Sequence, residues 1–544
     1  MSLSSYDVIV AGTGPAGLAL ANLLGHYRLR TLVVEKDLCL SPLPKALNID
    51  DEFFRLLVAL GLESRLRAHA KFPISYRYVS PLGLELGYVQ GQLTEHNAPN
   101  RAAIFQPEFE QILCDAALAT GYVDVVFDQE LVALADRGGE VAVTTRSADA
   151  SERHWRASFL VGADGAHSAC RKLLGIALQE VDPFDVRHVV VDVRDDEDAS
   201  AMALTRMGWR RNFFSMPAPN GRRFEFSLRP GEDAEWILRD DTLRALFKPW
   251  RDFDRLEVIR KVVHTFRSRI ARRLSAGRVF LVGDAAHLMP VFGSQGMNSG
   301  ARDANNLAWK LAQVIHRRAP AALLETYHEE RWAAVLKTIR MATLNGRVQK
   351  VKPPAVSLLR DLFFGLLRLV PPAQRWIRDM KYIPKPFLRS ALVAPGTETG
   401  RSDEYIGRLH PNPSLAGGPG RTLDALLGTG FAIVGVDPDQ AAPLALQTAA
   451  RAWGAALVAV HRQEGVPRPA DIATARAQVA DARYDPLFRS YAGQWLLVRP
   501  DRVIAAAGPA QTLAEAMAGL HGLLFGAEAP AADRAPRDAA ALAA

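Results

Sequence analysis

Residues Tyr6 to Lys36 read YDVIVAGTGPAGLALANLLGHYRLRTLVVEK. An apolar run, Val8 to Ala11, meets Gly12-Thr13-Gly14-Pro15-Ala16-Gly17; an apolar-faced segment continues to about Leu24, and a second run, Thr31 to Val34, ends on Glu35. The spacing predicts strand, glycine turn, helix and strand in about thirty residues. Gly12 permits the tight turn, Gly14 lets the backbone approach a pyrophosphate, and Gly17 lets the helix pack hard on the strand. Pro15 and Ala16 open the helix, whose free N–H groups face anionic oxygens. Glu35, with Lys36 beside it, stands where a carboxylate accepts from ribose hydroxyls and repels a 2′-phosphate. FAD or NAD is therefore expected here, and NADP is disfavoured. The bland alternative, a glycine-rich turn with no ligand, leaves the flanking strands and the acidic end unexplained.

Composition sets the bounds around this unit. A chain of 544 residues, 49% hydrophobic, can bury several cores, and its length suggests about three domains. The net charge of +7 and pI near 9.3 come from cations scattered among acids, not from basic blocks interleaved with aromatics, so a nucleic-acid partner is not expected. Cys39, Cys114 and Cys170 are far apart and form no CxxC, which argues against a disulfide framework, a zinc site or a redox disulfide. With no leader-like start and no apolar run long enough for a membrane span, a cytoplasmic protein is expected.

Further along, Ser41 to Ala46 is a proline-rich loop carrying Lys45, a candidate pyrophosphate clamp or a solvated loop lysine, and a helix is predicted from Asp50 to Leu60. Phe72 to Tyr88 alternates around Pro-Leu-Gly as a hairpin would, and Gln106-Pro107 leads into a helix to Ala119. Tyr122 to Arg146 holds two β-rich runs, VDVVF and EVAVTT, read as a hairpin or meander. Phe159 to Gly165 is a buried strand stopping at Asp164-Gly165, where open α/β sheets place ligand contacts; a helix N-cap is the structural alternative for Asp164. From Val181 to Arg269, β-rich segments and a helix near Thr242 to Phe247 suggest an inserted sheet domain.

The strongest stretch is Gly277 to Leu311, GRVFLVGDAAHLMPVFGSQGMNSGARDANNLAWKL. A strand stops at Gly283-Asp284, and a loop with Pro290, Gly293 and Gly296 opens a long helix. Asp284 could accept from polyol hydroxyls, while Gly296, Met297 and Asn298 put backbone N–H groups where negative charge on a ring would be stabilised. His287 reads as structural. Beyond it, Pro320 to Thr343 and Val356 to Val370 are predicted helices, the second read as packed on its own protein or a partner subunit in preference to a membrane surface. Ala394 to Arg421 marks a linker, after which FAIVGVD, ALVAVH, WLLVRPD and VIAAAG predict a small α/β domain. The tail from Gly526 lacks a core pattern and is expected to be disordered.

Three motifs, GTGPAG with Glu35, VGADG at Val161 to Gly165 and LVGDAAHLMP…GSQGMN at Leu281 to Asn298, occur in this order. Together they resemble the single-component FAD-dependent aromatic hydroxylases, the para-hydroxybenzoate hydroxylase-like flavoprotein monooxygenases, over about residues 1 to 350. The C-terminal part resembles the thioredoxin-like domain ending the phenol hydroxylase and 3-(3-hydroxyphenyl)propionate hydroxylase branch, which is the branch this layout looks most like. The implied fold is α/β. A Rossmann-like FAD-binding domain (1–72, 98–180, 275–350) carries an inserted β-sheet substrate domain (73–97, 181–274). A helical connection (351–395), a thioredoxin-like domain (396–526) and a disordered tail (527–544) follow.

By motif position, the resemblance gives the ADP half of FAD to Gly12, Gly14, Pro15, Ala16, Gly17, Glu35 and Lys36. It puts Lys45 near the pyrophosphate, Gln106 at the linking chain, Asp164 at FAD and NAD(P)H contacts, Asp284 at the ribityl chain, and Pro290, Gly296, Met297 and Asn298 around the flavin ring. Asn48 and Pro290 are candidate substrate contacts, with Arg211, Phe213, Phe214 and Arg223 of the middle sheet as further ones. Two positions depart from the family pattern: Val291 replaces a second proline, and Lys45 replaces an arginine, losing the bidentate fork. The implied activity is hydroxylation of a phenol with O₂, after NADH or NADPH has transiently reduced FAD, through a flavin hydroperoxide. Nitro- or halophenol and polycyclic substrates remain open, as do NADH against NADPH and a homodimer. An NAD-dependent dehydrogenase or a non-catalytic flavoprotein would share the first motif, but the dehydrogenase would leave the two later ones idle.

Overall fold

The computed structural model describes residues 5–525 except 199, 352, 384, 386, 395–404, 418–419, 439–441, 462–474, 480–483 and 485–487. The expected disordered tail lies outside the described residues. The chain divides into two compact units, residues 1–312 with 327–385, and 313–326 with 386–544.

In the first unit the strand Ser5–Ala11 lies between Thr31–Val34 and Glu152–Gly162, with Val123–Val126 and Val279–Leu281 flanking them, all parallel. Val8 to Ala11 and Thr31 to Val34 are buried, as strands covered on both faces must be. The register sets Ala11 beside both Val34 and Gly162, and Gly162 beside Leu281. Three strands therefore end at one edge, and the residues after them, Gly12, Ala163-Asp164 and Val282-Gly283-Asp284, become neighbours. The run VDVVF corrects the predicted hairpin: it pairs in parallel with Thr31–Val34, while the hairpin forms between Glu130–Asp136 and Val141–Arg146.

A seven-stranded sheet runs Glu257–Phe266, Val186–Arg194, Gly221–Ser227, Phe213–Ala218, Met202–Arg206, Ser75–Val79 and Glu85–Val89. The last two strands are the hairpin expected at Phe72 to Tyr88, joined by a parallel pairing of Ser75–Val79 with Met202–Arg206. One face packs Val189, Val191, Phe224 and Phe226 against Ile237, Leu243 and Phe247. By register, Tyr76, Tyr78, Thr205, Phe214, Glu225 and His188 share the other face.

The helix Pro354–Leu367 turns a polar side inward and leaves its apolar side on the surface of the chain. Its buried residues are Ser357, Arg360 and Asp361, whereas Leu358, Leu359, Leu362, Phe363 and Leu366 are exposed. Arg360 turns inward because its guanidinium donates to the Asp361 carboxylate at 2.8 Å and to the Met207 carbonyl at 3.3 Å. Among the described residues, no helix is long and apolar enough to cross a membrane.

The second unit holds a five-stranded sheet in the order Ala475–Gln478, Ala456–His461, Ala432–Val436, Gln494–Val498 and Ile504–Gly508. The first three strands are parallel, Gln494–Val498 runs opposed to them, and Ile504–Gly508 runs with them again. Four of these strands were legible in sequence. Ala475–Gln478 was not.

Candidate active site

The glycine turn is shaped by close approach. Gly12 has φ +109°, and a Cβ there would sit 2.5 Å from the Ala163 carbonyl oxygen. A Cβ on Gly17 would collide with the Gly12 carbonyl, while one on Gly14 would meet nothing within 4 Å. Two glycines thus lock the loop to the strand ends, and the middle one faces open space at the start of the helix Pro15–His26, whose first turn carries no acid. An anion is the ligand such a cradle fits. Ala16 packs between Gly283 and Gly300: a Cβ on either would fall about 3.0 Å or 2.9 Å from the Ala16 methyl. The first motif is thereby seated against the third.

Glu35 accepts from the Thr13 backbone N–H at 2.9 Å and its hydroxyl at 2.8 Å through Oε2, and from Asp37 N–H at 3.1 Å through Oε1. Thr13, passed over in the sequence, thus ties the glycine loop to the end of the second strand, and the carboxylate keeps lone pairs for a further donor. Lys36 points to solvent and pairs with Asp37. Asp164 accepts from Cys170 N–H at 3.0 Å; the N-cap of the helix Ala169–Leu173 is Ser168 instead. The other oxygen of Asp164 is buried and has no hydrogen-bond partner among the described residues. Asp284 is exposed to solvent in its cleft, and the protein packed around it pushes its carboxyl pKa up, opposed by His287 and Lys45. An orphaned carboxylate oxygen and an open cradle on one sheet edge fit a dinucleotide with its pyrophosphate and polyol chain.

Gln106 is buried, and its side-chain oxygen accepts from the backbone N–H of Lys45 at 2.9 Å and from that of Ala46, while its amide donates to Glu110 at 2.6 Å. The Lys45 side chain is exposed, and its carbonyl accepts from Arg223 at 3.0 Å. Arg223 is therefore a brace for this loop, paired also with Asp192 at 2.6 Å. Glu110 is pushed up to about 7, chiefly by burial, with Gln106 and Lys45 opposing. Its folded-state pKa exceeds the ordinary 4.5, so its carboxyl favours the folded state least once ionised: stability falls as pH rises from about 4.5 to about 7. Glu110→Gln is expected to raise stability at pH 8 by up to roughly 3 kcal/mol and to leave it little changed at pH 4.5, read by denaturant titration at both values.

Asn298 is buried at the start of the helix Gly296–Ile315, accepting from Asp50 N–H at 3.0 Å and donating to the Ser294 carbonyl at 2.8 Å. Gly296 and Met297 are half-buried beside it. His287 donates or accepts at Asp303, 2.7 Å away, and Asp303 takes Arg331 at 2.7 Å, so the histidine is part of the packed interior.

A cavity of about 730 Å³, counted out to its open mouth, lies between the seven-stranded sheet and the loop Val291 to Ser294. Tyr76, Tyr78, Phe214, His188, Glu225, Arg101 and Tyr382 line it. Arg101 is buried, donating to the carbonyls of Asn100 at 2.7 Å and Gly293 at 3.2 Å. Burial pushes Tyr76 up to about 12 and raises Tyr78 and Tyr382, which hydrogen-bond each other, so these phenols keep their protons at neutral pH. Of the sequence candidates, Phe213 and Phe214 line the cavity, as does Val291, the position that departs from the family pattern. Asn48, Arg211, Arg223 and Pro290 are not among its lining residues. Asn48 faces the Met216 sulfur, and Arg211 holds Glu232. Arg101, Tyr76, Tyr78 and the His188–Glu225 pair were missed in the sequence; two tyrosines two apart on a strand was the one local signal.

Comparison with known proteins agrees with this geometry. The family description "FAD binding domain" matches residues 5–342, and "HcaD C-terminal domain" matches residues 407–523. The 3-(3-hydroxy-phenyl)propionate/3-hydroxycinnamic acid hydroxylase of Burkholderia cenocepacia is 35% identical over 525 residues, covering 94% of this chain and 95% of that one. The Klebsiella pneumoniae protein of the same name is 33% identical, covering 93% and 92%. Among solved structures, the flavin-dependent monooxygenase PieE in complex with FAD and substrate superposes with a TM-score of 0.75 at 20% identity over 96% of this chain and 99% of that one, a likeness of fold. The OxyS anhydrotetracycline hydroxylase from Streptomyces rimosus gives 0.70 at 28% identity over 96% and 99%. The chain belongs to the family of FAD-dependent aromatic hydroxylases, the flavoprotein monooxygenases.

Proposed function

We propose that this enzyme hydroxylates a phenol bearing a short carboxylated side chain, of the 3-(3-hydroxyphenyl)propionate or 3-hydroxycinnamate class, with O₂ and NADH or NADPH as co-substrates. The observation that carries the substrate class is Arg101, a buried cation in the wall of a cavity lined largely by aromatic rings and neutral side chains, in which Glu225 is already bonded to His188. An arginine there meets a carboxylate in a bidentate fork, and the aromatic walls take the ring. The relatives' names point to the same class. Nitro- and halophenols, or polycyclic substrates without an acid, offer the guanidinium no carboxylate of their own.

FAD, when bound, supplies the hydride acceptance and the oxygen chemistry. The chain supplies its seat: Gly12, Gly14, Gly17 and the helix N-terminus for the pyrophosphate, Glu35 for the ribose, Lys45 and Gln106 along the linking chain, Asp164 and Asp284 for the polyol, and Gly296 to Asn298 under the ring. Val291 to Ser294 then separates that seat from the phenol cavity and excludes water from it. The proposal keeps the sheet insertion at 73–97 and 181–274 as the substrate domain and reads the C-terminal sheet as thioredoxin-like, supported by its strand order and by four strands running one way with only Gln494–Val498 opposed among the described residues. It also takes the protein as a cytoplasmic homodimer, supported by the outward apolar side of Pro354–Leu367; light scattering should give twice 59.5 kDa.

The test is reductant oxidation by the reconstituted enzyme with 3-(3-hydroxyphenyl)propionate and with 3-ethylphenol, followed by product analysis. Substrate-stimulated oxidation with a dihydroxylated acid as product is expected. Equal activity on both phenols would remove the carboxylate from the proposal.

A further inference from the structure

The phenol must lose its proton to become reactive, and the cavity offers few groups to take it. Arg101 cannot act as a base, and Tyr76, Tyr78 and Tyr382 hold their protons. His188 and Glu225 remain. They stand on adjacent antiparallel strands, where register puts them on the cavity face, and His188 Nδ1 lies 3.0 Å from a Glu225 carboxylate oxygen with both side chains more than nine-tenths buried. Phe266 and Phe292 pack edge-on against the imidazole at 5.5 Å and 6.2 Å and fix its plane. The His188 bond keeps Glu225 below the usual carboxylate range despite its burial, helped by Arg223 and His264. An ionised carboxylate only accepts, so the shared proton sits on Nδ1 and the lone pair is left on Nε2. Among the described residues Nε2 makes no hydrogen bond, and His188 lines the cavity.

We propose that His188 is the base that takes the phenolic proton, through Nε2, and that Glu225 is the positioning residue that fixes its tautomer and stabilises the imidazolium. The inference rests on the phenol-hydroxylase reading above. In the step, the substrate O–H bond breaks, the proton moves to Nε2 and the electron pair stays on the phenolate oxygen, which activates the ring carbons ortho and para to it. No oxidant enters this step, and Nε2 returns the proton when the product oxygen is reprotonated. Other charged or titratable groups facing the pair are Arg223 on the Glu225 strand, His264 and Arg260 on the strand Glu257–Phe266, and Arg101, Tyr76, Tyr78 and Tyr382 across the cavity. The Val291 to Ser294 loop brings none.

The experiment uses full-length, FAD-loaded wild type, His188→Gln and Glu225→Gln with 3-(3-hydroxyphenyl)propionate. Without reductant, the ultraviolet difference spectrum reports phenol against phenolate as pH is raised. Wild type should show bound phenolate well below the pH of about 10 at which a free phenol ionises. His188→Gln should move that midpoint up by more than one unit and lower kcat by about 10²-fold or more, with flavin content and circular dichroism unchanged. Glu225→Gln should move the acid limb of kcat/KM to lower pH and cost about tenfold, a change that loss of packing alone would not produce; it carries the test if His188→Gln loses its fold. Wild-type phenolate titration and rate in His188→Gln, or an unmoved acid limb in Glu225→Gln, would overturn the proposal while leaving the hydroxylase intact. A flavin-loaded wild type that hydroxylates no phenol would overturn the parent reading, and this one with it.

Discussion

Replacing Gly12 with alanine is expected to yield a folded chain that purifies colourless, with FAD affinity reduced at least about 100-fold. The reason is geometric. At φ +109° an added methyl falls 2.5 Å from the Ala163 carbonyl oxygen and 2.8 Å from its carbon, and both belong to backbone anchored in the parallel sheet. The loop must lift off the strand end, carrying Gly14 and the Thr13–Glu35 bonds with it. A side chain held in a disfavoured φ costs about 1–3 kcal/mol, and the misplaced N–H cradle adds to that; 100-fold corresponds to about 2.7 kcal/mol. Flavin fluorescence quenching gives the affinity, and circular dichroism confirms the fold. A yellow Gly12→Ala protein with wild-type affinity would remove the glycine turn from the binding site.

The second large effect is expected at Arg101. Arg101→Met should lower kcat/KM for 3-(3-hydroxyphenyl)propionate by about 30- to 150-fold, equivalent to the roughly 2–3 kcal/mol of a charge-assisted bidentate pair, and change 3-ethylphenol by only a few-fold. The difference between the two substrates separates carboxylate recognition from damage to the Gly293 loop, which Arg101 also holds. Steady-state kinetics on both phenols checks it. Equal losses on the two would assign Arg101 to loop support alone.

The parts of this molecule that could be read in the sequence are those where one short segment carries its own reason. The glycine turn, the Asp164 strand end and the Asp284 loop each pair a buried strand with backbone that must come close to something, and parallel register alone brings them together. The phenol cavity has no such signature. Tyr76, His188 and Glu225 come from three separate strands that only the pairing of the seven-stranded sheet sets on one face, and Arg101 reaches the cavity from a different sheet, paired with Asn48–Asp50 and Ala70–Lys71. VDVVF misled because an edge strand of a parallel sheet and half a hairpin share the same β-rich composition. In the helix Pro354–Leu367 periodicity marks the apolar stripe but not what covers it: the stripe faces outward, and Arg360, held by Asp361 and a carbonyl, faces in. Ala475–Gln478, reading ARAQ, offers no β-branched residue to mark it as a strand.

The most direct measurement is a single reaction of the FAD-loaded protein with NADH, 3-(3-hydroxyphenyl)propionate and heavy-oxygen-labelled O₂, read by mass spectrometry of the organic product. The account predicts a dihydroxylated acid carrying one labelled oxygen atom. A product without label, or reductant consumed with the phenol returned unchanged, would contradict it.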